Sequence, residues 1–214
     1  MCIMAKFTST TFGTISGKHG TAVAAVQKDG STILKVYRKP SNPNTPKQQA
    51  VRARFTLVNK SFRPLNEVMK LGFKSTAEIR KQKGKAFKEA VKGEFPDLRI
   101  DFSCIKIAAG SLQAVESATV ETVENSTEVI LNWNTTLGFQ SKLGANDDQV
   151  NFVFYNEASG TVFPMMFEAL REDGTASVML PDVWKEQEIH CWCFLTDAMG
   201  ENNSDSYYID HFRL

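Results

Sequence analysis

Gln149-Val150-Asn151-Phe152-Val153-Phe154-Tyr155 decides the fold. Side chains alternate across a strand, so Phe152 and Phe154 point one way and Val153 and Tyr155 the other. A strand that is apolar on both faces belongs in the middle of a sheet. Working outward, similar short runs recur between polar turns. They are Ala118–Val123, Glu128–Trp133, Gln149–Tyr155, Thr161–Phe167, Ala176–Leu180, Ile189–Leu195 and Ser206–Phe212. This number and spacing predict an immunoglobulin/fibronectin-like antiparallel β-sandwich over 107–214. Val129, Leu131 and Trp133 share one face, which makes Trp133 the candidate core tryptophan. Trp192 and Phe194 oppose Cys191, Cys193 and Leu195. Leu98–Ile107 is extended, with Ile100, Phe102 and Cys104 on one side, and either links the halves or adds an edge strand.

Upstream the pattern changes. Thr21–Lys28 and Ser31–Lys39 flank Asp29-Gly30, which predicts a β-hairpin closed by a two-residue turn. Thr45-Pro46-Lys47-Gln48 reads as a helix start, with Thr45 as cap and Pro46 in the first turn. Val51, Phe55, Val58 and Phe62 form an apolar stripe, Pro64 ends or kinks the helix, and Leu65–Leu71 adds a short stretch that stops at Gly72. Ser75-Thr76-Ala77-Glu78 is a second capping box. It opens a lysine-rich helix with Ala86, Phe87, Ala90 and Val91 inside. Gly84 weakens its middle by about 1 kcal/mol, so the segment reads as two short helices or as partly mobile. The fold class is therefore α+β, with a hairpin-plus-helix domain at 1–106 and a β-sandwich domain at 107–214.

Charge divides at the same place. Residues 1–106 hold 21 Lys+Arg against 7 Asp+Glu, a balance of +14, and residues 107–214 hold 4 against 17, a balance of −13. The whole-chain value of +1 conceals this. Such asymmetry points to electrostatic contact rather than to a reaction. Lys35, Arg38, Lys39, Lys47, Arg52 and Arg54 are the candidate residues for phosphate or partner contact. The expected role is a non-enzymatic assembly protein that self-associates head-to-tail or binds another protein. A phosphate-backbone contact with nucleic acid is the alternative. A third arrangement has the two charges facing each other within one chain.

Gly13-Thr14-Ile15-Ser16-Gly17-Lys18 has three residues between its glycines where a phosphate loop has four, and His19 follows the lysine where Ser or Thr is required. His190, Cys191, Cys193 and His211 lack the paired spacing of a structural zinc site, and Asp147, Asp148 and Asp182 lack that of a calcium loop. No Ser-His-Asp or Cys-His signature stands out. No enzyme activity, cofactor, metal or small-molecule substrate is expected. The cysteines, Cys2 included, are read as free thiols. No run reaches the roughly 20 apolar residues of a membrane helix and no secretory signal is read. The expected location is the cytoplasm or a particle assembled there, with Met4 as a plausible start.

The order of features is similar to a known family. The Gly-rich Thr11–Lys18 lead, the hairpin, the Ser41–Phe55 block with its Asn-Pro-x-Thr-x-x-Gln start, Gly72-Phe73-Lys74, Ala86–Ala90 and Gly110-Ser111-Leu112 come in sequence. Together they resemble an uncharacterised family of Bacteroidota proteins, a domain of unknown function, over nearly the whole chain. The Asn-Pro-x-Thr-Pro block before an Arg-rich helix also resembles small proteins from phage structural regions. The family implies the two-part layout and no activity or cofactor.

Overall fold

The computed structural model describes residues 5–7, 13–39, 41–138 and 143–214. Met1–Met4 with Cys2 and the expected start, Thr11 and Phe12 of the lead, and Pro40 lie outside the described residues. The chain forms two compact units, Met1–Thr45 and Pro46–Leu214.

The first unit is a four-stranded antiparallel sheet. Its strands are β1 (Ala5–Phe7), β2 (Gly17–His19), β3 (Ala22–Val26) and β4 (Thr32–Val36), in the order β1-β4-β3-β2. The predicted hairpin is β3–β4, but its turn is not the two-residue type. Gly30 N donates to Gln27 O (3.0 Å) and Gln27 N to Ser31 O (2.8 Å), so three residues form the loop. Only Gly30 takes a positive φ (79°), while Asp29 accepts from the amide and hydroxyl of Ser31 (3.0 and 2.7 Å). A left-handed aspartate is thereby avoided.

The second unit begins with α1 (Pro46–Phe73), which continues past Pro64. An interior proline costs about 3 kcal/mol. Here Phe62, Leu65, Val68, Met69 and Phe73 are all buried on one face, at about 1.5–3 kcal/mol each, which offsets that cost. The predicted stripe holds only in part. Val58 and Phe62 are buried, but Val51 and Phe55 are half-exposed, and Phe55 stacks on Phe87 with centroids 4.3 Å apart. The second helix, α2 (Thr76–Glu89), is continuous through Gly84, and Ser75 occupies its cap position without the predicted side-chain bond.

β5 (Val91–Lys92) pairs with β6 (Arg99–Ile100). A 3-10 turn at Phe102–Cys104 then breaks the expected alternation, leaving Phe102 buried and Cys104 exposed. Beyond it come β7 (Ala118–Thr122), β8 (Glu128–Trp133), β9 (Gln149–Asn156), β10 (Thr161–Leu170), β11 (Thr175–Met179), β12 (Glu188–Thr196) and β13 (Tyr207–Arg213). They form two antiparallel sheets, β10-β9-β12-β13 and β11-β8-β7. All seven predicted strands are present, and the chain is α+β with a β-rich C-terminal part.

The central strands explain the two-sided apolar pattern. Phe152, Phe154, Cys191 and Cys193 join Val129, Leu131 and Trp133 in one core between the two sheets. Val153, Tyr155, Trp192 and Phe194 join residues of α1 and α2 in a second core. The unit thus has three layers, helices on a four-stranded sheet on a three-stranded sheet. The boundary expected after Lys106 is accordingly not where the compact units part. Charge is a property of the surface, whereas compactness follows the apolar core, and residues 46–106 share theirs with β9 and β12.

A buried chain of amides also ties helix to sheet. Asn151 Nδ2 donates to Thr196 Oγ1 (2.9 Å), which donates to Asn203 Oδ1 (2.9 Å). Asn203 Nδ2 then donates to the carbonyls of Leu71 (2.7 Å) and Gly72 (2.9 Å), satisfying orphan acceptors at the end of α1.

Candidate functional site

The six sequence-predicted residues fall in both units. Lys35, Arg38 and Lys39 are exposed on and just after β4 in the first. Lys47, Arg52 and Arg54 belong to α1 in the second. Arg52 and Arg54 do not form one surface, because residues two apart on a helix point about 200° from each other. Arg52 is exposed, whereas Arg54 is partly buried with its guanidinium 5.9 Å from the Phe87 ring, a cation–π contact with α2.

The more coherent basic face lies on α2. Ile79, Gln82 and Ala86 are buried, and Arg80, Lys81, Lys85 and Lys88 are exposed. Lys81, Lys85 and Lys88 are spaced four and three apart, so they share one side of the helix, opposite the buried one. That spacing was readable in the sequence and would have selected α2 ahead of Arg54. Lys81 is paired with Glu78 at 3.3 Å. Among the described residues, Arg80, Lys85 and Lys88 make no ion pair. On α1, Lys70 pairs with Glu67 at 2.7 Å.

Within the second unit, and among the described residues, few charged contacts join residues 46–106 to residues 107–214. Lys106 pairs with Asp205 at 2.6 Å, with both side chains about half exposed, and Lys74 Nζ donates to the Gly200 carbonyl at 2.5 Å. The acidic stretch spends its buried arginine on itself. Arg171 pairs with Asp148 at 3.3 Å and donates to the Gln113 carbonyl at 2.5 Å, and both charged side chains are almost wholly buried.

The His190 region behaves as core. His190 Nδ1 lies 2.9 Å from the Tyr208 hydroxyl, and the ring packs among Phe102, Tyr155 and Trp192. Burial, and then the neighbouring His211, hold its imidazole down at about 4. Burial pushes the Cys193 thiol up to about 12 and the Cys191 thiol well up too, so neither is a thiolate at neutral pH. Three or more His, Cys, Asp or Glu do not converge in metal-binding geometry among the described residues. Gly13 and Gly17 both adopt positive φ, and Lys18 lies over the Tyr37 ring at 4.2 Å. No helix among the described residues is long and apolar enough to cross a membrane.

The chain belongs to the family of unknown function DUF6266, whose model matches residues 14–210. No curated protein matches it.

Proposed function

We propose that this member of the family is a non-enzymatic interaction protein that self-associates, the basic face of α2 on one copy meeting the acidic β-rich surface of another. The observation that carries this reading is that Lys85 and Lys88 stand exposed on one helix face without ion pairs among the described residues. The charge asymmetry is left largely uncancelled inside the second unit, because apolar burial holds helices to sheet there. Contact between two different patches is heterologous and propagates to rings or filaments, and complementary fields speed encounter. The strand orders β11-β8-β7 and β10-β9-β12-β13 support an immunoglobulin/fibronectin-like sandwich, a scaffold often used for contact. The inert thiols and low-lying imidazole support a role without catalysis, and free cysteines support action in the cytoplasm or on a particle assembled there.

The test is solution mass by light scattering at low and high salt. Wild-type protein is expected as a large species that falls to monomer as salt rises. The variant Lys81→Glu, Lys85→Glu, Lys88→Glu is expected to stay monomeric at both. A wild-type monomer at every salt sinks self-association. If that monomer carries nucleic acid with steeply salt-dependent affinity, the second reading, phosphate contact by the same lysines, takes its place.

A further inference from the structure

Between α1 and the turn joining β9 to β10 lies a cavity of about 530 Å³. That is within the range of about 300–1,000 Å³ typical of small-ligand sites. One wall carries Lys60 and Arg63, three residues apart on α1, exposed and without ion pairs among the described residues. The other carries Glu157 and the turn at Ser159 and Gly160, with the nearly buried Tyr155 between them. The turn is fixed from below. Asn156, fully buried, accepts from Ser159 N through its side chain (3.0 Å) and from Gly160 N through its carbonyl (2.9 Å), and donates to Gln187 (2.6 Å).

Behind Glu157 stands an unfinished contact. His190 Nε2 is buried with no hydrogen-bond partner, 3.6 Å from Glu157 Oε2. A shift of about half an ångström brings the two within bonding distance. In the tautomer where the Tyr208 hydroxyl donates to Nδ1, Nε2 carries the proton and faces the Glu157 carboxylate. Burial, and then Glu188, raise the Glu157 carboxyl.

The charges define the occupant. Two adjacent cations match a phosphate monoester, which carries close to two negative charges at neutral pH. A single carboxylate would leave one cation unmatched. Glu157 repels a second anion and accepts from hydroxyls, which favours a small ester over a continuous polyanion. The volume is larger than inorganic phosphate requires. We propose that this cavity binds a small phosphorylated polyol of the sugar-monophosphate class, with its phosphate on Lys60 and Arg63 and its hydroxyls on Glu157 and Ser159. This goes beyond the assembly reading, and departs from the expectation that the chain has no small-molecule ligand.

The experiment is calorimetric titration of the full chain with glucose 6-phosphate, ribose 5-phosphate and glycerol 3-phosphate, against glucose, inorganic phosphate and a short single-stranded oligonucleotide. At least one ester is expected to bind one-to-one and about tenfold or more tighter than glucose or inorganic phosphate. Arg63→Glu and Lys60→Glu, both exposed changes, are each expected to weaken it about tenfold or more with an unchanged melting temperature. Glu157→Gln is expected to narrow the preference for the ester over inorganic phosphate. No saturable binding by any of the three esters, or binding unchanged in Arg63→Glu, overturns the proposal. So does an oligonucleotide that binds as tightly as the best ester, which would make these cations part of an open polyanion surface.

Discussion

His190 is the residue whose environment has the clearest thermodynamic signature. Its ordinary value of 6.5 falls to about 4 on folding, from burial first and His211 second. Below pH 6.5 the unfolded chain takes up a proton that the folded chain refuses until about pH 4. Stability from this site is therefore complete above about pH 6.5 and is lost as pH falls toward 4. Between pH 7 and pH 5 the loss is on the order of 2 kcal/mol. Asp101 is held low mainly by the Ser103 hydroxyl, whereas the Glu157 carboxyl is raised by burial and then by Glu188 and so opposes part of this loss. Denaturant unfolding at the two pH values checks the point. His190→Phe, whose ring suits a site lined by Phe102, Tyr155 and Trp192, is expected to lose far less between them. Equal losses in both proteins would show that His190 is not the group responsible.

At the scale of the elements, one substitution has opposite consequences in the two helices. Gly84 lies in α2 with open space where a Cβ would stand, so Gly84→Ala is expected to stabilise by about 1 kcal/mol. Gly72 lies at the end of α1, where a Cβ would overlap the Ile107 carbonyl and the Ala108 side chain. There Gly72→Ala is expected to destabilise by about 1–3 kcal/mol, since the Asn203 clamp leaves the helix end little room to yield. Thermal melts of the two variants should move in opposite directions, and a shift of the same sign in both would contradict this account. These helices also show what the sequence holds and what it does not. The seven C-terminal strands were legible because alternation is local and repeats. The two-sided pattern of β9 marked a central strand, though not that helices rather than a third sheet cover its outer face. Pro64 does not end α1, because propensity is local, whereas the burial of Phe62, Leu65 and Met69 that overrides it is tertiary. The candidate site was legible as charge but not as surface. Lys85 and Lys88 carry the periodicity, while Arg54 turns inward onto Phe87, a ring that only the packed helices bring to it. The cavity beside Lys60 and Arg63 draws its other wall from residues almost a hundred positions later, which no spacing rule reaches.

For the molecule as a whole, what matters is that β9 and β12 serve two cores. A fragment of residues 107–214 would retain the sandwich yet lay bare Val153, Tyr155, Trp192 and Phe194, a contiguous apolar face. It is expected to aggregate or bind a hydrophobic dye, while 46–214 unfolds in one cooperative transition. A 107–214 fragment that melts cooperatively and binds no dye would mean that the helices are dispensable to the sheet. The same shared wall means that the junction between residues 46–106 and the acidic strands is greasy rather than ionic. Added salt weakens attraction between exposed charges within a Debye length of about 10 Å at 0.1 M, but it does not loosen apolar contact, and sulfate or phosphate tightens it. Brine that pulls neighbouring copies apart would leave each one, if anything, more firmly knit.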